Sequence, residues 1–334
     1  MALFPYAGVS SIVTRMSSII FLGNELGRDP KWVQNAMDYM FHSLAAAAQL
    51  RQWPRFLRPL LAQFLPACHQ VRADMQTARD IINPVMEHRR FLEKKSLEAG
   101  QPVPENDDAL AWMEKAARAK GVKHDPAQMQ LSFAILALHG TAVLLGHAML
   151  DIASKPEIIS VLREEVLTAI KEVGWNRLAI PKLKVMDSAF KESQRMNPAG
   201  ILTMNRIAME NIQLSDGNRI AKGTATFIPN TRMWDPAVHP DPETYDPYRF
   251  FNMPSSLKLV TTHQDHLGFG LGKHACPGRF FAASMVKIAL SHILLKYDVK
   301  LEDGYVRRTD RHGYFQDPDP NAKLVVRRRQ EFSL

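Results

Sequence analysis

The segment GFGLGKHACPGR, Gly268–Arg279, carries the strongest indication of the fold. It contains Cys276, one of two cysteines in 334 residues, and surrounds it with four glycines and a proline. A strongly apolar run that is typical of a helix begins at Phe280. Because amide N–H groups and the helix dipole stabilise a thiolate at the start of a helix, the segment predicts an anionic sulfur ligand in a loop with few side chains.

Two kinds of metal site suit a cysteine in this setting. Zinc is one, because His/Cys groups at short spacing bind zinc. The candidate zinc ligands are His263, His266, His274 and Cys276. Haem iron is the other, because a flat macrocycle can approach a backbone without side chains and a Cys thiolate is one of its protein ligands. Zinc leaves Phe269, Gly272 and Gly278 unexplained, so the pattern F-x-x-G-x-x-x-C-x-G favours haem.

A second motif lies upstream of this loop. The segment KESQR places Glu192 and Arg195 three residues apart, so they can form an ion pair on one helix face. Such pairs are common on solvated helices and mean nothing alone. The segment DPYRF adds Arg249. The order Glu192, Arg195, Arg249 and Cys276 resembles that of the cytochrome P-450 superfamily, in which the arginine before the cysteine loop meets the Glu–Arg pair.

The resemblance covers essentially the whole chain and is closest to fungal members of the superfamily. The segments that look like fungal ones are Gln130–Thr141 and Ser154–Val166, and Met196–Arg206 resembles the substrate-facing segment that follows the paired helix in the family. The implied fold class is mainly α with small β-sheets, a cytochrome P-450 fold lacking its N-terminal third. The implied organisation is a single incomplete catalytic domain over residues 1–334. Its helical part is expected over 1–198, and its β/loop and haem-binding part over 199–334.

The resemblance also implies a set of haem-binding residues. Cys276 falls on the axial ligand of the iron in haem b, and Phe269, Gly272 and Gly278 fall on the loop around it. The expected partners of the haem propionates are His274 and Arg206, although a solvent-facing role is the alternative for both. The residues expected to be structural rather than chemical are Glu192, Arg195 and Arg249.

The long apolar helix carries the segment that faces oxygen in the family. His139 and Thr141 are the candidates for proton delivery, and a satisfied core histidine is the alternative for His139. Gly140 departs from the family, which usually has a threonine there, so we expect proton delivery to depend on Thr141, ordered water or a substrate hydroxyl. The residues expected to line a substrate pocket are Ala199, Gly200, Ile201, Leu202 and Thr203, with Tyr314–Gln316 from the tail; loop filler is the alternative for both.

The activity implied is that of a haem-thiolate monooxygenase acting on a hydrophobic small molecule. Fungal likeness suggests a terpenoid, alkaloid or polyketide, with electrons from NADPH through a flavoprotein reductase. Lys273, Arg279 and Lys287 are predicted to form a basic docking face for that reductase. The alternatives are a truncated, non-catalytic relic with weak or no haem binding, and a peroxide-dependent or isomerising haem enzyme.

Composition limits the other partners. The net charge of +8 is spread along the chain without a stripe of interleaved aromatics, which argues against nucleic-acid binding. Two distant cysteines indicate a reducing compartment rather than disulfides. Arg15 interrupts the apolar N-terminus, so no transmembrane segment or anchor is expected in this chain. The predicted location is the cytoplasm or the surface of the endoplasmic reticulum.

Apolar periodicity predicts helices over most of the first two thirds of the chain. The stretch from Pro126 to about Ser154 is apolar nearly all round, which is typical of a buried central helix. After Pro198 the pattern changes to short strands. Asp216-Gly217 and Lys222-Gly223 are predicted hairpin turns, and the tail from Tyr297 is predicted to form strands.

Overall fold

Helices dominate residues 2–253 and 257–330, which are the residues that the computed structural model describes. The helices are α1 (Tyr6–Leu26), α2 (Pro30–Arg51), α3 (Arg58–Leu61), α4 (Pro66–Glu98), α5 (Ala109–Lys120), α6 (Pro126–Ala153), α7 (Pro156–Val173), α8 (Lys184–Met196) and α9 (Arg279–Lys296). The strands are β1 (Ala2–Pro5), β2 (Leu202–Ile207), β3 (Ile212–Gln213), β4 (Arg219–Ile220), β5 (Ala225–Pro229), β6 (Tyr297–Leu301), β7 (Thr309–His312), β8 (Phe315–Pro318) and β9 (Lys323–Arg328). The predicted class, mainly α with small sheets, is confirmed.

Helix ends follow local capping chemistry. Asp29 precedes α2, and its Oδ1 accepts the N–H of Lys31 at 2.9 Å. Asp108 precedes α5, and its Oδ1 accepts the N–H of Ala111 at 2.9 Å. Both carboxylates satisfy N–H groups that a helix leaves unpaired in its first turn. The chain leaves α5 through Gly121, whose φ of +63° lies in the left-handed region that favours glycine.

The chain divides into two compact units, Ser10–His139 and Met1–Val9 with Gly140–Leu334. In the first unit, the Trp32 indole N–H of α2 donates to Ser18 Oγ of α1 at 3.0 Å. Asn35 of α2 donates to the Asp74 carbonyl of α4 at 3.1 Å. These bonds satisfy buried polar groups between helices. The predicted single domain with its change of structure at residue 198 stays a prediction.

Helix α6 begins in the first unit and ends in the second. Every residue of Thr141–Ala153 is buried, as an all-round apolar helix predicts. The first half of α6 is not buried all round, since Leu136 is 79% exposed, so the prediction holds only for the second half. Among the described residues, α6 is the one helix long and apolar enough to cross a bilayer. Its most apolar window is 67% buried, which is typical of a core helix.

The strands form small antiparallel sheets in the second unit. Strand β9 lies between β1 and β6, β2 pairs with β5, and β7 pairs with β8. Strands β3 and β4 form the hairpin predicted at Asp216-Gly217. The second predicted hairpin is wrong: a turn occurs at Lys222-Gly223, but β4 and β5 do not pair, because β5 pairs with β2 instead. Strand β1 was not predicted, since its partner β9 lies at the far end of the sequence.

Candidate cofactor site

The loop before α9 holds the backbone of Cys276 from both sides. The Cys276 N–H donates to the Phe269 carbonyl at 2.8 Å. The Cys276 carbonyl accepts Nη1 of Arg279 at 2.8 Å, and the same guanidinium donates Nε to the Val260 carbonyl at 3.2 Å. The thiol is free and half-buried. With both main-chain groups bonded, the position of the thiol is fixed by the loop.

Glycines in this loop serve different purposes. Gly270 and Gly272 have φ values of +70° and +67°, which few other residues adopt. Gly268 packs against α8: a Cβ atom there would lie 2.4 Å from Cδ of the buried Gln194. At Gly278 a Cβ atom would lie 3.9 Å from the Cys276 sulfur. The loop is therefore pressed against α8 on one side and carries little bulk beside the thiol.

These residues fit a haem better than a zinc ion. Among residues 2–253 and 257–330, no three His, Cys, Asp or Glu side chains come together as metal ligands. His266 of the zinc alternative is buried, and its Nε2 lies 3.1 Å from the Lys191 carbonyl. Burial and the nearby Lys191 ammonium lower the pKa of His266 well below its ordinary value. A single thiolate donor in a fixed, glycine-rich loop is the donor set of a cysteine-ligated haem.

The predicted structural residues form a buried cluster between α8 and the loop that follows β5. Glu192 accepts two bonds from Arg195, at 2.7 and 2.9 Å, and one from Nε of Arg249 at 2.9 Å. Arg195 donates to the carbonyls of Met233 and Pro242 at 2.6 and 2.7 Å. Nothing of the Glu192 and Arg195 side chains is exposed. The contacts expected from the motif are therefore present, while their effect on haem retention stays a prediction.

The predicted pocket segment Ala199–Thr203 is held by main-chain bonds. Ile201 donates to the Tyr314 carbonyl at 2.8 Å, and Gln316 donates to the Ala199 carbonyl at 3.1 Å. Asn230, which is 1% exposed, donates its side-chain amide to the Gly200 carbonyl at 2.7 Å. The two segments predicted to line a pocket are thus hydrogen-bonded to each other. Asn230 was not predicted, because a lone asparagine before a turn carries no sequence signal for this contact.

The remaining predicted site residues differ in exposure. Thr141 is 4% exposed, and Gly140 is exposed with open space where a Cβ would stand. His139 is half-buried at the end of the first unit. His274 and Arg206 are exposed, and Arg206 donates to the Asn205 carbonyl at 2.7 Å. The roles assigned to these residues stay predictions.

The predicted basic docking face is wrong in part. Lys287 is 6% exposed and forms an ion pair with Asp187, so it presents no charge to a partner. Arg279 is half-buried and bonded to backbone carbonyls inside the loop. Lys273 is exposed. Lys287 lies in the apolar helix that follows Cys276 and is buried with it. A buried lysine needs an acidic partner, and the local sequence does not show that Asp187 supplies one.

Polar residues of α6 to which the sequence patterns assign no role form a second buried cluster. Asp151 accepts Ser193 Oγ of α8 at 2.5 Å and two bonds from Arg307 at 3.0 and 2.8 Å. His147 lies on the same helix, and its Nδ1 is 3.0 Å from Nη2 of Arg307. Burial, together with the Arg307 charge, lowers the pKa of His147 to about 3. Two polar residues four apart in an apolar helix indicate that each has a buried polar partner. The helix sequence alone does not identify those partners.

Comparisons with known proteins agree with this geometry. A sequence model of the family described as cytochrome P450 matches residues 3–326. The chain is 44% identical to the Penicillium rubens protein named cytochrome P450 monooxygenase adrA, over 96% of this chain and 64% of that protein. It is 45% identical to the Aspergillus terreus protein named cytochrome P450 monooxygenase trt6, over 98% of this chain and 67% of that protein. The chain thus spans about two thirds of the length of these curated relatives.

A solved structure shares the fold at much lower identity. The cyanobacterial protein CYP120A1, solved with retinoic acid bound, aligns with a TM-score of 0.68 and 18% identity. The alignment covers 97% of this chain and 68% of that one. The fold, the ligand loop and the family match lead to one conclusion: the chain belongs to the cytochrome P450 family.

Proposed function

We propose that this chain forms the haem-binding part of a monooxygenase, with Cys276 as the axial ligand of haem b. The observation that carries the proposal is the loop around Cys276, which fixes both main-chain groups of the cysteine and leaves its half-buried thiol free. A bound haem with a thiolate ligand supplies oxygen activation, because the sulfur donates electron density that favours O–O cleavage. The two fungal relatives are named as monooxygenases, which supports the same activity here.

The surrounding residues are assigned roles in holding the cofactor and moving protons. Phe269, Gly272 and Gly278 shape the face beside the sulfur, and His274 and Arg206 bind the propionates. The Thr141 hydroxyl supplies protons on the oxygen side, with His139 next to it in sequence. Because Gly140 has no hydroxyl to share this task, we expect proton delivery to depend on Thr141 or on ordered water.

The substrate in this proposal is a hydrophobic small molecule from fungal secondary metabolism, a terpenoid, alkaloid or polyketide. Ala199–Thr203 lines its pocket together with Tyr314–Gln316, which are hydrogen-bonded to that segment. Electrons come from NADPH through a flavoprotein reductase. Since Lys287 is buried, Lys273 in the ligand loop is the cation that we assign to this docking surface.

We assign the protein to the surface of the endoplasmic reticulum, and exposed side chains between residues 51 and 64 of the first unit support this. The large apolar ones are Trp53, Phe56, Leu60 and Phe64, with exposures of 44, 80, 59 and 70%. Arg51 and Arg55 are exposed in the same stretch. Large apolar side chains interleaved with arginines suit contact with an anionic membrane surface.

The test is the spectrum of the reduced protein with carbon monoxide. We expect the wild type to give the red-shifted Soret band of a thiolate-bound haem, and Cys276→Ser to lose it. Cys68→Ser is the matched control, because Cys68 is the other cysteine and is buried in α4. A thiolate spectrum in Cys276→Ser would show that another residue is the ligand. A wild type that takes up no haem would favour the non-catalytic alternative.

A further inference from the structure

Arg307 joins the base of the β7–β8 hairpin to the buried half of α6. It lies two residues before β7, and its Nε and Nη2 donate to Asp151 Oδ1 at 3.0 and 2.8 Å. Nη2 also lies 3.0 Å from His147 Nδ1. The Asp151 side chain is 7% exposed and that of Arg307 is 25% exposed. One guanidinium thus makes three contacts with two residues one turn apart on the same helix.

The other end of this hairpin carries the segment predicted to line the substrate pocket. The Tyr314 carbonyl accepts the N–H of Ile201, and the N–H of Gln316 donates to the Ala199 carbonyl. A second contact at the base comes from Thr309, whose Oγ1 donates to Asn197 Oδ1 at 3.1 Å. The hairpin is therefore bonded at its base to α6 through Arg307 and to Asn197 through Thr309, and near its tip to the pocket segment.

We propose that Arg307 is a positioning residue: it fixes the β7–β8 hairpin on α6 and thereby sets the width of the pocket at Ala199–Thr203. The statement about the pocket rests on the proposed function, whereas the statement about the hairpin does not. Arginine suits this task because its planar guanidinium donates in several fixed directions at once. A lysine ammonium keeps the charge but lacks the planar fork that contacts Asp151 twice and His147 at the same time.

The chain offers two matched controls. Arg308 is the next residue, carries the same charge and is exposed. Arg308→Lys therefore makes the same substitution while leaving the contacts of Arg307 with Asp151 and His147 intact. Ser193→Ala removes the 2.5 Å bond from α8 to Asp151 and leaves the Arg307 contacts in place. Ser193→Ala is therefore expected to lower stability without moving the hairpin, which separates positioning from a general loss of stability.

The first measurement is amide hydrogen exchange of the protein as isolated, and it needs no haem. In Arg307→Lys we expect residues 309–318 and 199–203 to exchange about tenfold faster, because local opening of the hairpin costs less free energy. In Arg308→Lys and Ser193→Ala, the exchange rates of these two segments are expected to stay unchanged relative to the exchange rates of α8. Unchanged exchange there in Arg307→Lys, or an equal increase throughout the chain, would overturn the proposal.

If Arg307→Lys yields no folded protein, His147→Leu takes its place, since leucine is close to histidine in volume and lacks the ring nitrogen that contacts Arg307. We expect about threefold faster exchange in the same two segments, a smaller opening because the Asp151 contacts remain. No local increase in that variant would equally overturn the proposal.

The second measurement uses haem-loaded protein and two iron-binding probes of different size, imidazole and 4-phenylimidazole. A change in pocket width alters the affinity for the larger probe more, so the ratio of the two dissociation constants is expected to change about fivefold in Arg307→Lys. The ratio is expected to stay constant in both controls, and a constant ratio in Arg307→Lys would refute the link to the pocket. If the wild type binds no haem, the proposed function fails, and hydrogen exchange still decides whether Arg307 positions the hairpin.

Discussion

Two buried ionic clusters meet on adjacent residues of α8, and they are built differently. In the first, Glu192 binds Arg195 and Arg249, and the spare guanidinium N–H groups donate to backbone carbonyls, for example that of Pro240 at 2.6 Å. In the second, Ser193 and Arg307 bind Asp151. There Arg307 is 25% exposed.

The two clusters differ in the exposure of their charged side chains. We expect this difference to decide how strongly a substitution in each cluster destabilises the fold. A charge at zero exposure depends entirely on its partners, because water cannot replace a lost bond. A guanidinium with one quarter of its surface in water retains some hydration when a partner is lost. We therefore expect the Glu192 cluster to maintain the fold and the Asp151 cluster to tune the position of the hairpin attached to it.

The largest effect is expected from Glu192→Ala. It leaves Arg195 and Arg249 buried without their carboxylate, which costs roughly 3 to 5 kcal/mol of unfolding free energy. Because marginal domains have only about 5 to 15 kcal/mol, we expect loss of haem and of soluble protein together. Soluble yield and a urea unfolding curve measure this, with Glu164→Ala on the exposed face of α7 as control. A Glu192→Ala protein with full haem content that loses only turnover would show that Glu192 acts chemically.

A smaller effect is expected from Asp151→Asn, which keeps the shape of the side chain and removes its charge. Arg307 then loses its ionic partner but remains partly hydrated, so we expect a cost of about 1 to 3 kcal/mol, less than for Glu192. Chemical denaturation of both variants in the same buffer gives the comparison. If Asp151→Asn costs as much as Glu192→Ala, exposure does not distinguish the two clusters.

The first cluster was predictable from sequence and the second was not. Glu192 and Arg195 stand three apart on one helix, and the resemblance to a known family supplied Arg249 as the third member. The glycines around Cys276 also predicted the loop: Gly270 and Gly272 have positive φ values, and Gly268 stands where a Cβ atom would clash with Gln194. Local signals of this kind can be identified in the sequence without knowledge of the fold.

The second cluster depends on contacts between distant parts of the chain. Asp151 and Arg307 are 156 residues apart, and no spacing rule connects them. Strand β1 was missed for the same reason, since it pairs with β9 near the other end of the chain. Lys287 was misjudged as exposed because its partner Asp187 lies on another helix. Sequence patterns report which groups need partners, whereas the tertiary fold decides which partners they receive.

The smallest effect concerns the pH dependence that His147 adds to the second cluster. Its pKa is lowered from 6.5 to about 3 by burial and by Arg307, so the folded protein holds it neutral while the unfolded chain protonates it near its ordinary pKa. A depressed pKa in the folded state contributes stability that is present above the unfolded pKa of 6.5 and is lost as pH falls toward about 3. Between about pH 7 and about pH 5.5 this loss amounts to about 1 kcal/mol for one histidine.

His239, His266 and His292 also have pKa values lowered by burial, so the wild type loses stability in this window for more than one reason. His147→Asn removes the contribution of one group and leaves the other three. We expect the difference in unfolding free energy between wild type and variant to shrink by about 1 kcal/mol as pH falls through this window, because only the wild type must keep His147 neutral. Urea unfolding of both proteins at the two pH values measures it. A difference that stays constant with pH would mean that His147 is protonated in the folded state, and that Arg307 does not hold its Nδ1 as an acceptor.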